Sequence, residues 1–374
     1  MKINMKQTKT TNNIFMKRFL IIAAAVAAMV ACTEVSPDQG PDRKITFEVA
    51  SYTPATRAHS LTSESISSFK CKAYMHGVGV SGAQDFFGAA GETISYDSTV
   101  PEWHPSHDYY WPKSSDSYVN FFSWYDTGAG PTTVTEGTMV WTNRTIGIGD
   151  NIMYADPAWR FTDNTSQASQ YTGDDVTTGV PTLFHHALAQ VNFKAYASKT
   201  SVSSLCSWTI VVENVAITNV YNQGTLSLAI DDPGTAHTTT PWKAANKTDD
   251  PAWTTTGSTA SLTPADLTVT ATTSGTAQTL LANQSVLPQA LTNVHLTFDL
   301  NITTTYTAGQ SNQEIIPIDI PLATAAPSGF GTAAWALNTK YTYTIKIDPS
   351  ERRVLFDPAV EEEWAEVAVT EKEI

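Results

Sequence analysis

Cysteine is scarce in this sequence. Three occur in 374 residues, at positions 32, 71 and 206, too few for a disulfide-dense scaffold and without metal-ligand spacing. Positive charge is scarce as well. Against 36 Asp+Glu stand 22 Lys+Arg, a formal net charge of −14, which repels a phosphate backbone rather than neutralising it, so nucleic acid is not expected as a partner. Charged residues of both signs reach only 16%, and the body of the chain lacks the 3.6-residue apolar period of amphipathic helices. The longest apolar run, Phe19 to Val30, falls short of the roughly 20 residues that a bilayer-spanning helix needs.

What is present begins with that run. Met16-Lys17-Arg18 supplies a basic start, the apolar segment follows, and Met29-Val30-Ala31-Cys32 ends it. This is the pattern of a secretory signal, read here as residues 1–31. A small residue followed by cysteine is what bacterial lipoprotein maturation requires, because the thiol accepts the diacylglycerol before cleavage. Cys32 is therefore the expected lipidated N-terminus, anchoring the precursor to the outer membrane without crossing it. The plainer alternative is an ordinary signal peptide that happens to precede a cysteine. The polar, proline-broken stretch from Thr33 to Arg43 reads as a tether. Cys71 and Cys206 could pair in an oxidising compartment, but two buried free thiols in different domains are the favoured reading.

Beyond the tether, strands keep arriving. Ile45, Phe47 and Val49 alternate with polar or small residues as a half-buried strand does, and the run breaks at Pro54, leaving Arg57 among small residues. Further strands are predicted at Phe69–Tyr74, Thr93–Tyr96, Tyr118–Trp124, Thr138–Trp141, Leu183–Tyr196, Ser207–Val212, Val215–Tyr221, Thr225–Leu228, Val294–Ile302, Ile315–Ile320 and Tyr341–Ile347. Turns rich in Gly, Pro, Asn and Asp separate them. The expected fold is all-β, two antiparallel β-sandwich domains in tandem, with the boundary near Val180-Pro181. After Asp348-Pro349-Ser350 the chain still carries Arg353 to Phe356, Pro358, Trp364 and the alternating Val367 and Val369, a strand-competent tail of its own.

Several motifs hint at chemistry without completing it. Gly77 to Gly82 spells G-x-G-x-x-G after a strand, but no helix pattern follows to receive a pyrophosphate, so it reads as a loop. His104, His107 and Asp108, or His185 and His186, could ligate a metal; Pro105 breaks regular geometry, and neighbouring histidines on a strand point to opposite faces. No metal and no cofactor are expected. Ser81 lacks the nucleophile elbow, no paired-carboxylate arrangement follows from spacing, and Glu361-Glu362-Glu363 reads as a solvated turn. No enzymatic activity is expected. Trp103, Tyr109, Tyr110, Trp111, Trp124 and Trp159 concentrate aromatics in the first half, as sandwich core or, if exposed, as faces on which sugar rings could stack.

The order of these features resembles one family. The cysteine after the apolar leader, the first strand followed by Thr56-Arg57-Ala58, Tyr110-Trp111-Pro112 with Asn120 to Trp124 after it, Leu183 to Ala195, Val286-Leu287-Pro288-Gln289 and Tyr341 to Ile347 near Trp364 are similar to the fimbrillins, the subunits of type V pili. The resemblance implies two transthyretin-like, Greek-key β-sandwich domains, residues 58–181 and 182–374, preceded by a lipidated propeptide at 32–57. It implies that an arginine-specific protease cuts between Arg57 and Ala58 and releases the strand carrying Ile45, Phe47 and Val49. The vacated slot would be filled by the tail of another subunit through Val354, Phe356, Val367 and Val369, so that identical subunits form a filament on the cell surface, with tip and anchor subunits as further partners. The alternatives are a tip or accessory adhesin and a monomeric glycan-binding surface lipoprotein.

Overall fold

A computed structural model describes residues 44–51, 59–60, 66–77, 81–100, 102–114, 116–147, 149–162, 179–202, 204–229, 249–255, 259–262, 267–271, 276–323 and 334–363. Cys32, Arg57, Ala58, Val367 and Val369 lie outside them. The described residues are all-β, with no α-helix among them, and Ile45–Ile374 forms one unit.

The first half is not two open sheets. Phe47–Ser51, Val180–His186, Ile152–Ala155, Tyr118–Asp126, Ser68–His76, Glu92–Asp97 and Glu102–Pro105 pair in that order, and the last returns to the first, closing a seven-stranded, barrel-like sheet. Closure leaves no exposed edge around the ring. Its interior is an apolar cluster that includes Phe47, Phe69, Trp103, Trp111, Phe121 and Phe184. Tyr118–Asp126 is buried on both faces: Val119 and Phe121 turn into the barrel, while Phe122 and Trp124 turn outward into another cluster. That explains why YVNFFSW reads as a nearly continuous apolar run.

The outward cluster belongs to a four-stranded sheet in which Thr138–Thr145, from the first half, pairs with Gln223–Ala229, from the second. Trp141, Leu226 and Leu228 meet Phe122, Trp159 and Leu287 there, all buried. In the second half two sheets face one core, but Ala189–Ala197 and Thr339–Asp348 run parallel where an antiparallel pair is expected. A sheet of Gln278–Val286, Ala189–Ala197, Thr339–Asp348 and Arg353–Glu363 shares a single core with a sheet built on Cys206–Tyr221, His295–Tyr306 and Ser311–Pro321. Phe193 stacks on Tyr343 at 4.8 Å between ring centres within it.

Two strand boundaries differ from expectation. The long run expected from Leu183 to Tyr196 is two strands, Val180–His186 and Ala189–Ala197, and the first of them, which straddles the expected domain boundary, belongs to the barrel. Ala187 and Leu188, both fully buried, carry the chain from one sheet to the next, so their apolar character hides the break. Conversely, Ser207–Val212 and Val215–Tyr221 are one strand, Cys206–Tyr221. Its register shifts between Glu213 and Ala216, where Asn214 takes a positive φ of 53°. Such a bulge mimics a turn in sequence without ending the strand. Cys71 is buried and Cys206 half-buried, and neither is in a disulfide.

Candidate functional site

The first strand is the centre of the site. Ile45, Phe47 and Val49 are 0%, 2% and 1% exposed, so the alternation seen in sequence is an alternation of burial. Along one side, Phe47 to Ser51 run parallel to Val180 to Phe184, five register pairs in all. Along the other, Phe47 stands opposite Trp103, and Ala50 and Ser51 pair with a returning segment. The entry is fixed by the Ile45 amide, which donates to the Tyr109 carbonyl at 2.8 Å, and by the Val180 amide, which donates to the Thr46 carbonyl at 2.8 Å. Phe47 meets Phe69 and Phe121 edge-on, with ring centres at 5.9 and 5.6 Å. Gly179, at a φ of 117°, lets the strands approach, since a Cβ there would stand 3.0 Å from the Phe47 carbonyl carbon. At its far end the strand turns back, Ala50 opposite Ser60 and Ser51 opposite His59, so the segment containing Arg57 connects two paired positions.

Of the tail residues, Val354 and Phe356 are described, and they lie elsewhere. Val354 and Phe356 stand opposite Ile347 and Ile345 in the terminal strand of the four-stranded sheet, and Val354 packs on the core of the second half. Among the described residues Val354 shares no cluster with the first strand.

The aromatics weighed as a sugar platform are core: Trp103, Trp111, Trp124 and Trp159 are at most 9% exposed, and Tyr109 and Tyr110 are half-buried. The histidines form pairs instead of a metal set. His104 lies 3.9 Å from Asp97, His185 stacks on Tyr154 and lies 3.0 Å from Asp156, and His186 meets the Asn151 amide oxygen at 2.9 Å. Burial, and then the neighbouring His185, pushes the His186 pKa down to about 3, so it stays neutral. Among the described residues no group of three or more His, Cys, Asp or Glu could hold a metal ion.

One constellation escaped the sequence reading. Glu92, 7% exposed, accepts hydrogen bonds from the Ser106 hydroxyl, the Tyr109 hydroxyl at 3.0 Å and its neighbour's amide, Thr93 N, at 3.0 Å, with His107 Nδ1 at 3.2 Å. Ser, His and Glu together suggest a hydrolytic triad, but Nδ1 is the nitrogen that approaches both Ser106 and Glu92. A triad needs one ring nitrogen for each, so this is a clasp. It holds the loop whose Tyr109 carbonyl receives the first strand. Desolvation raises the Glu92 pKa, yet the hydrogen bonds from Ser106, Thr93, Tyr109 and His107 together outweigh it and hold the carboxyl below the ordinary value of 4.5. The same carboxylate, after burial, helps push the Tyr109 phenol up to about 12. A depressed folded pKa means that the clasp contributes in full above the unfolded value and is lost as pH falls through the folded one. Acid unfolding of Glu92→Gln, followed by circular dichroism, is therefore expected to show a shallower loss below about pH 4.5 than the parent chain.

No family model matches the chain, and no curated protein does. Among solved structures, a fimbrial protein of Bacteroides vulgatus aligns with 86% of this chain and all of its own at 15% identity, with a TM-score of 0.50. A candidate cell adhesion protein of Bacteroides uniformis aligns with 87% of this chain and all of its own at 18% identity, with a TM-score of 0.44. At such identity the first of these likenesses is one of fold: the chain has the architecture of a solved fimbrial protein.

Proposed function

We propose that this protein is a fimbrillin, a pilin made as a lipoprotein precursor lipidated at Cys32, cut between Arg57 and Ala58, and polymerised on the cell surface by strand exchange. The two transthyretin-like domains of that family would correspond to the barrel-like first half and the sandwich of the second. The observation that carries the reading is the first strand: buried through Ile45, Phe47 and Val49, paired over five residues on one flank and over three on the other, and followed along the chain by the segment that contains Arg57. Its departure would bare three apolar pockets worth about 1.5–3 kcal/mol each, together with a row of unpaired amides and carbonyls. A vacancy of that kind is a binding site for another strand.

The tail of a neighbouring subunit would fill it, with Val354, Phe356, Val367 and Val369 as the inserting side chains. Val354 and Phe356 already form strand at the margin of their sheet, so donation requires that margin to peel away. An interface between different surfaces of identical subunits grows as a filament wherever its rotation does not close a ring. No catalytic residue is assigned. Incubation of the purified precursor with an arginine-specific protease is expected to give a fragment beginning at Ala58 and, on gels run without heating, a ladder of denaturant-resistant oligomers. Clean cleavage at that bond with a product that stays monomeric would count against strand exchange, and resistance of the bond would count against the processing site.

A further inference from the structure

The wall of the barrel has a notch. Lys70 is flanked on the outer face by Thr93 on one neighbouring strand and Trp124 on the other. Beyond this row the strands diverge. Ser68 and Phe69 continue opposite Ser95 and Ile94 only, whereas Tyr125 and Asp126 continue opposite Met153 and Ile152. The gap between them opens a cavity of about 260 Å³ roofed by the turn from Asp126 to Gly130. That size lies just under the ~300–1,000 Å³ of drug-sized ligand sites, room for a single ring.

The turn is fixed. The Asp126 carboxylate, buried, accepts from the amides of Gly128 at 2.6 Å and Gly130 at 3.2 Å, from the Trp141 indole at 3.0 Å and from Arg144 at 3.0 Å. Its charge is matched by Arg144, which leaves the exposed Lys70 as the unmatched charge at the rim. Lys70 Nζ lies 2.6 Å from the Thr93 hydroxyl, and the Ser68 hydroxyl lines the same cavity. Trp124 is nine-tenths buried, yet its indole N–H donates to no atom among the described residues. A Cβ at position 130 would sit 3.1 Å from that nitrogen, and Gly130, at a φ of 76°, carries none. That N–H is not sealed from solvent, and Trp124 lines the cavity, so water or a ligand hydroxyl there can accept from it.

We infer that this notch binds one acidic sugar residue, a hexuronic acid, with its carboxylate on Lys70 and its hydroxyls on the Trp124 indole N–H, Thr93 and Ser68. A cation at the rim, hydroxyls on one wall and an indole donor beneath the roof suit a polyhydroxylated ring bearing one negative charge. The site is formed by the barrel wall alone and does not depend on the filament reading, so binding to the uncleaved chain tests it separately.

The test is saturation-transfer NMR on the purified full chain, titrated with glucuronate and, in parallel, with glucose. Saturable binding of glucuronate, at least about tenfold tighter than glucose, is expected, and Lys70→Met, a surface change that leaves the core intact, should abolish that preference. Trp124→Phe keeps an aromatic ring, removes the donor and should weaken both sugars. Equal binding of the two sugars, no saturable binding of either, or a preference that survives Lys70→Met overturns the assignment.

Discussion

Phe47→Ala should destabilise the precursor by about 3–5 kcal/mol, the usual cost of emptying an aromatic site in a packed core, and should leave an assembled polymer unchanged. The first half follows from the ring contacts with Phe69, Phe87 and Phe121 at 5.9, 6.5 and 5.6 Å. Phe69 and Phe121 are held on barrel strands, so the space is expected to close only in part. The second half follows from the proposed processing. If cleavage after Arg57 discards the strand, the mutated residue is absent from mature material, and a defect fixed in the precursor disappears on assembly. Chemical denaturation of the uncleaved variant and parent measures the first quantity; the denaturant concentration that dissolves the ladders measures the second. A variant whose polymers are weakened in proportion to its precursor would mean that the strand stays in place, and with it the vacancy argument would fall.

The same strand shows what could be read from sequence and what could not. Ile45, Phe47 and Val49 announced their burial because a strand with one wet and one dry face has a period of two, and local alternation needs no knowledge of the partner. The partner was another matter. Closure of the barrel depends on parallel pairing with Val180 to Phe184, more than a hundred residues downstream, and on Ser68–His76 meeting Tyr118–Asp126. Periodicity carries no signal for either, so an open sandwich was the natural expectation. Of the two places open to the aromatics, the four tryptophans took the core, where Trp111-Pro112 and the Asn120 to Trp124 run leave little polar surface to face water. Glu92 and the notch at Lys70 were invisible for a common reason. The clasp brings together two segments and the notch three, and an acid in ETISYD or a lysine in SFKCKAYMH looks like any solvated position. Asp126 before Gly128-Ala129-Gly130 did mark a turn, but not what the turn covers.

That turn sets the second large effect. Asp126→Ala is expected to cost about 3–5 kcal/mol, because it strands the partly buried Arg144 without its partner. Arg144 also lies 3.3 Å from Asp150, so some of its charge stays matched and the loss should fall nearer the lower end. The carboxylate serves two elements at once: the Gly128 and Gly130 amides of its own turn, and Trp141 and Arg144 on the strand that pairs with Gln223–Ala229. Its removal should therefore loosen the joint between the barrel and the shared sheet as well as the roof over the notch. Asp126→Asn, which keeps the shape and two acceptor sites but not the charge, should cost less. The informative measurement is hydrogen exchange at Gly128, Gly130 and the Thr138–Thr145 strand in the alanine variant. Faster exchange in all three places is expected if one carboxylate couples them, whereas exchange raised only in the turn would confine its role to local capping and leave the joint to Trp141, Leu226 and Leu228 packing alone.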